Sequence, residues 1–198
     1  DLETLLTRLD VEQPILVGLS VGGMVAREVL DRRPEHIRGA VVGGPVQSVP
    51  SLGFAELNPF VSPVRAVSQM VSTLGSAGAF RALLNTMRAA NGGPWLSLDS
   101  EVREQAITAA GAVPKAEYTK IFRALYDHEP IDLSHVETPM LVLYGDHEAT
   151  RIKRHGRRLA ERTPGGRQLE IPDAAHLVNQ DNPAAFNRAC SEFISEIN

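Results

Sequence analysis

A chain of 198 residues, 43% hydrophobic and 22% charged, is long enough to bury a substantial core and too apolar to be compositionally disordered. With 20 basic against 24 acidic residues the formal net charge is −4, which gives no electrostatic reason to expect nucleic acid or an anionic membrane as a partner. A single cysteine, Cys190, excludes an internal disulfide, so a reducing cytoplasm is the expected compartment, with no metal or cofactor expected.

The opening DLETLLTRLD lacks a basic region and a long apolar run, so no signal peptide is expected, nor does any stretch reach the length of a membrane span. Leu2, Leu5, Leu6 and Leu9 recur at helical spacing. After Pro14, ILVG is short and apolar and predicts a buried strand. SVGGMVAREVLDRR predicts a helix closed by Pro34, and IRGAVVGGP, residues 37–45, a second buried strand. This alternation predicts a mostly parallel α/β sheet with helices on both faces.

Between residues 46 and 131 the rhythm changes to a Pro-, Gly- and Ser-rich stretch and then to helices around 64–74, 77–90, 100–110 and 115–126, which predicts a helical insertion. The strand–helix rhythm resumes at PMLVLYG, residues 139–145. TRIKRHGRRLAERTP predicts a helix with a strongly basic solvated face, RQLEIP a short strand, and NPAAFNRACSEFISEI a closing helix. Cys190 lies on the apolar stripe of that last helix and is expected in the core. His147 and His155 lie eight residues apart without a supporting cage, so they are not assigned to a metal.

GLSVG, residues 18–22, sits where a buried strand becomes a helix. A sharp turn there lifts Ser20 above the sheet edge, with small residues on either side because neighbouring backbone comes close. The N–H of Val21, at the positive end of the following helix, is placed to donate to a developing oxyanion. The same five residues also suit an ordinary glycine-rich turn in which Ser20 merely caps the helix. A dinucleotide or phosphate loop is not expected, because neither Gly-x-Gly-x-x-Gly nor a Gly-Lys-Ser/Thr ending is present. Serine is a weak nucleophile alone and needs a base and an orienting acid. Acidic residues follow directly after the strand ending at Gly145, and His176 follows the last strand, in the order serine, acid, histidine.

These segments resemble the α/β-hydrolase fold superfamily, in its capped esterase, lactonase and C–C hydrolase branch. GLSVGGMVARE is similar to its nucleophile elbow, PMLVLYGDHE to its acid segment, and IPDAAHLVNQDNPAAFN to its histidine segment and final helix. The resemblance covers residues 1–45 and 132–198 as the core, with 46–131 in the place of a helical cap. It implies a Ser20–His176–Glu148 triad. Glu148 stands three residues past Gly145, where the family usually has Asp, and Asp146 is the competing acid. The family carries strands and a further oxyanion donor ahead of the elbow, whereas this sequence starts at Asp1, one helix before it. The expected consequence is an unpaired sheet edge and, through it, a route to a homodimer.

The implied function is hydrolysis of a small carboxylic ester or lactone through an acyl-enzyme. The alternatives are C–C bond hydrolysis or a cofactor-free haloperoxidase or perhydrolase reaction on the same triad, and a non-catalytic small-molecule binding protein of this fold. Dehalogenase and epoxide hydrolase relatives place Asp where Ser20 stands. Phe54, Phe60, Met70, Phe80, Met87 and Trp95 of the insertion either line an acyl pocket or pack the insertion's own core.

Overall fold

The computed structural model describes residues 2–46 and 63–197. In chain order its elements are α1 (Leu2–Arg8), β1 (Ile15–Leu19), α2 (Val21–Arg32), a 3₁₀ turn (Pro34–His36), β2 (Gly39–Gly43), α3 (Pro63–Asn91), α4 (Ser100–Ala112), α5 (Lys115–Asp127), β3 (Met140–Gly145), α6 (Thr150–Arg162), β4 (Gly166–Ile171), α7 (Val178–Asp181) and α8 (Pro183–Ile197). They fall into two compact units, residues 1–47 with 131–198, and residues 48–130.

The first unit is built on a parallel sheet in the order β1-β2-β3-β4, with Leu16 opposite Ala40, Val41 opposite Leu141, and Leu143 opposite Leu169. The two inner strands, GAVVG and MLVLYG, are buried along their whole length, as continuous apolar runs in a parallel sheet must be. Alternate side chains serve opposite faces. Leu16, Ala40, Val42, Met140 and Val142 pack with Ala26, Val29 and Leu30 of α2 and Leu159 of α6. Val41, Leu141 and Leu143 pack with Phe186, Ala189 and Phe193 of α8. Cys190 packs beside this second cluster, half-buried, and burial pushes its thiol up. Because the strands are parallel, the residues that follow β1, β3 and β4 emerge along one edge of the sheet, where open α/β sheets gather their ligands.

The second unit is helical among its described residues. Its α3 spans both predicted helices and is interrupted at Gly75, whose φ of 74° and ψ of 173° break the helical path. The Asp99 carboxylate caps α4 by accepting the Glu101 N–H. Val67, Val71, Ala79 and Tyr118 form a core of their own, with Met70, Phe80 and Phe122 packed against it. Met70 and Phe80 therefore pack within the insertion. Met87 is half-buried, and Trp95 lines a cleft of about 250 Å³ with Leu96 and Ile107. Phe54 and Phe60 lie outside the described residues.

Arg151, Arg154, Arg157, Arg158 and Arg162 of α6 are exposed, whereas His155 turns partly inward. Burial, with Arg151, Arg154, Arg158 and Arg27 nearby, lowers its pKa from 6.5 to about 4. The folded chain then binds fewer protons at this site than the unfolded chain between these two values. Stability therefore falls as pH drops through that window. We expect the urea midpoint to fall on acidification from pH 6.5 to 4, and to fall less in His155→Gln; equal slopes in both proteins would contradict this assignment.

Candidate active site

The site begins with backbone strain. Ser20 has φ 51° and ψ −114°, outside the regions an L-residue adopts freely, at the junction of β1 and α2. Its N–H donates to the Gly43 carbonyl at 2.8 Å, and its own carbonyl accepts from Met24 N–H at 3.1 Å. A Cβ on Gly18 would run into the Gly22 carbonyl and lie 2.8 Å from the Gly23 nitrogen. A Cβ on Gly23 would sit 3.0 Å from Val42 Cγ1. Gly22, which the sequence pattern marks as equally constrained, has no described atom within 4 Å of where its Cβ would be. The tight packing rests on Gly18 and Gly23.

Ser20 stands at the N-cap position of α2, yet its hydroxyl makes no capping hydrogen bond. Its Oγ lies 2.9 Å from His176 Nε2 instead, so the simple capping role is ruled out. His176 is 2% exposed, and its Nδ1 lies 2.6 Å from Glu148 Oε2. The Glu148 side chain has no exposed surface, and its other oxygen accepts the Ala149 N–H at 2.8 Å. The three side chains form one chain of contacts, with both ring nitrogens of the imidazole engaged.

Asp146, the competing acid, turns elsewhere and accepts the Ala174 N–H at 3.1 Å. Burial alone would raise its carboxyl. Backbone N–H groups at Ala174 and Asp173, together with His147, outweigh burial and hold it below its ordinary value. Val21 opens α2, so its N–H is among the amides that find no acceptor inside the helix, at the positive end of the helix dipole.

Three supports were not visible in the sequence pattern. Gly44 has φ 55°, and a Cβ there would fall 2.8 Å from His176 Cε1, so this glycine gives the imidazole its room; the Gly-Gly-Pro break after β2 is its signal. Asp181 accepts the Ala175 N–H at 2.8 Å, one residue before His176. Arg27 of α2 is fully buried, donates from Nε to the Gly23 carbonyl and from Nη2 to the Val46 carbonyl, and ties α2 to the segment leaving β2. Its burial outweighs the Glu28 charge and lowers its pKa to about 10. Periodicity places Arg27 on the helix but does not show that it faces inward. Among the described residues, no group of three His, Cys, Asp or Glu side chains is placed to hold a metal ion, and no helix is long and apolar enough to cross a membrane.

The model of the alpha/beta hydrolase family matches residues 1–189. The uncharacterized hydrolase YugF of Bacillus subtilis strain 168 is 24% identical over 202 residues, which span 96% of this chain and 68% of that protein. A thermophilic esterase from Thermogutta terrifontis aligns with a TM-score of 0.80 and 20% identity, covering 100% of this chain and 70% of its own. The enol-lactonase from Burkholderia xenovorans LB400 aligns with a TM-score of 0.75 and 21% identity, covering 98% of this chain and 70% of its own. At these identities the structural likeness shows the shared fold.

The strain at Ser20 is measurable. Ser20→Gly and Ser20→Ala both delete the hydroxyl, but only glycine adopts φ 51°, ψ −114° freely. We expect Ser20→Gly to exceed Ser20→Ala by about 1 kcal/mol in urea unfolding, the low end of the cost of such a conformation. Alanine matching or exceeding glycine would show that the turn is unstrained.

Proposed function

The chain belongs to the alpha/beta hydrolase family, and from that footing we propose that it is a serine hydrolase cleaving a small carboxylic ester or lactone through an acyl-enzyme. The observation that carries this reading is the unbroken contact from Ser20 Oγ to His176 Nε2 at 2.9 Å and from Nδ1 to Glu148 at 2.6 Å. The ester and lactone class is supported by relatives of the same fold, an esterase and an enol-lactonase.

In the proposed reaction the imidazole donates Nδ1–H to Glu148, which leaves the Nε2 lone pair facing the Ser20 hydroxyl. As Oγ attacks the carbonyl carbon, Nε2 takes its proton, and Glu148 stabilises the imidazolium that forms. The Val21 N–H donates to the oxyanion of the tetrahedral intermediate. On collapse, His176 returns the proton to the leaving alkoxide and the acyl group stays on Oγ. Water, deprotonated by the same Nε2, then attacks the acyl carbon, and the acid and Ser20 are released. The strained turn contributes because it presents Oγ without reorganisation at the moment of attack.

Intact mass after a fluorophosphonate probe tests this. We expect one adduct on the parent chain and none on Ser20→Ala or His176→Ala. Glu148→Gln, which keeps the shape but removes the charge, should slow capture by up to about 10⁴-fold. A folded parent that takes no adduct would point to the non-catalytic binding reading instead.

A further inference from the structure

We propose that Asp146 is the positioning residue of the histidine loop: its carboxylate holds the Ala174 backbone N–H and so fixes His176 against Glu148. The kinetic consequence rests on the hydrolase reading above, whereas the geometric claim does not.

The loops after β3 and β4 are zipped together. Asp146 N–H donates to the Ile171 carbonyl at 3.0 Å, and His147 N–H to the Ala174 carbonyl at 2.9 Å. Between them, Gly145 leaves room for the Ala174 carbonyl, which a Cβ there would strike. Asp173 has φ 51°, a conformation uncommon for a residue other than glycine. The Asp146 carboxylate accepts the N–H of the next residue, Ala174, at 3.1 Å, two residues before His176. Asp181 takes the next N–H, that of Ala175, at 2.8 Å. The two carboxylates thus hold consecutive amides immediately ahead of the histidine.

Asp146 differs from Asp181 in one respect. It shares a short loop with Glu148, so its bond to Ala174 couples the acid's backbone to the histidine's. Lys153 secures that loop in turn by donating Nζ to the Asp146 carbonyl at 3.0 Å. The imidazole makes contacts at both nitrogens, and during attack the one to Ser20 must exchange a proton and then break. The ring then depends on Glu148 and on its own backbone for its place. Loosening that backbone should degrade the chemical step more than binding, since small misplacements of a catalytic group cost about 10²-fold.

The test compares Asp146→Ala and Asp146→Asn with Tyr144→Phe, which removes the 2.7 Å hydroxyl bond from Tyr144 on β3 to Gln168 on β4 and serves as a stability control. With p-nitrophenyl acetate we expect Asp146→Ala to lower kcat about 10²-fold with KM little changed. Asp146→Asn, which keeps an acceptor oxygen without its charge, should fall between. Tyr144→Phe should lose a similar amount of Tm and keep its kcat. In proton NMR, the downfield resonance of the His176–Glu148 hydrogen bond should be broadened or lost in Asp146→Ala and retained in Tyr144→Phe. Should Asp146→Ala fail to fold, Asp146→Asn carries the comparison. An Asp146 variant with the kcat and downfield resonance of the parent overturns the proposal while leaving the hydrolase reading intact. If the parent itself neither hydrolyses the ester nor takes the fluorophosphonate, the hydrolase reading fails, and the downfield resonance alone decides whether Asp146 positions His176.

Discussion

The buried carboxylate of Glu148 is the constraint around which this site is arranged. A carboxylate with no exposed side-chain surface survives folding as an ion only when its oxygens are hydrogen-bonded. One oxygen is met locally, by the next amide in the chain, and the other by an imidazole from a different strand's loop. That second requirement brings the loop after β4 onto the loop after β3. It also explains why Gly145 must yield space to the Ala174 carbonyl. The inner strands supply the rigid base, since GAVVG and MLVLYG are buried on both faces and cannot shift register without exposing apolar surface.

The serine end of this chain of contacts is held by a different device. Ser20 occupies a conformation that costs on the order of 1–3 kcal/mol, and it persists because the Ser20 N–H is anchored to β2 and Gly18 lets α2 close against β1. Strain at one end and burial of charge at the other both oppose folding locally. Two apolar clusters, one on each face of the sheet, offset them. This is the usual relation between a stable scaffold and a site that is not itself optimised for stability.

Much of this was legible in the sequence for identifiable reasons. Short β-branched runs between helical stretches gave the parallel sheet, and the serine, acid and histidine each stood directly after one of its strands. What the sequence left open was settled by geometry at close range. Asp146 and Glu148 are two residues apart on one loop, and the spacing past Gly145 favours Glu148 without excluding Asp146; in the structure Glu148 reaches His176, while Asp146 meets the backbone at Ala174. Gly22 and Gly23 look alike in a string of letters, yet only Gly23 is pressed by Val42. The inward turn of Arg27 and the clearance Gly44 gives the imidazole depend on tertiary neighbours that periodicity does not encode. In the insertion, aromatic and Met residues carried no signal separating pocket from core, and Met70 and Phe80 proved to pack locally.

The central claim is that Ser20 is a nucleophile activated through His176, and trapping its acyl-enzyme tests that most directly. Rapid mixing with p-nitrophenyl acetate, acid quenching and peptide mapping would read both the p-nitrophenol burst and the position of the acetyl group. The account predicts a burst of about one equivalent per chain, with acetyl on the peptide bearing Ser20. A folded chain that shows no burst, or that carries the acetyl group on another residue, would contradict it.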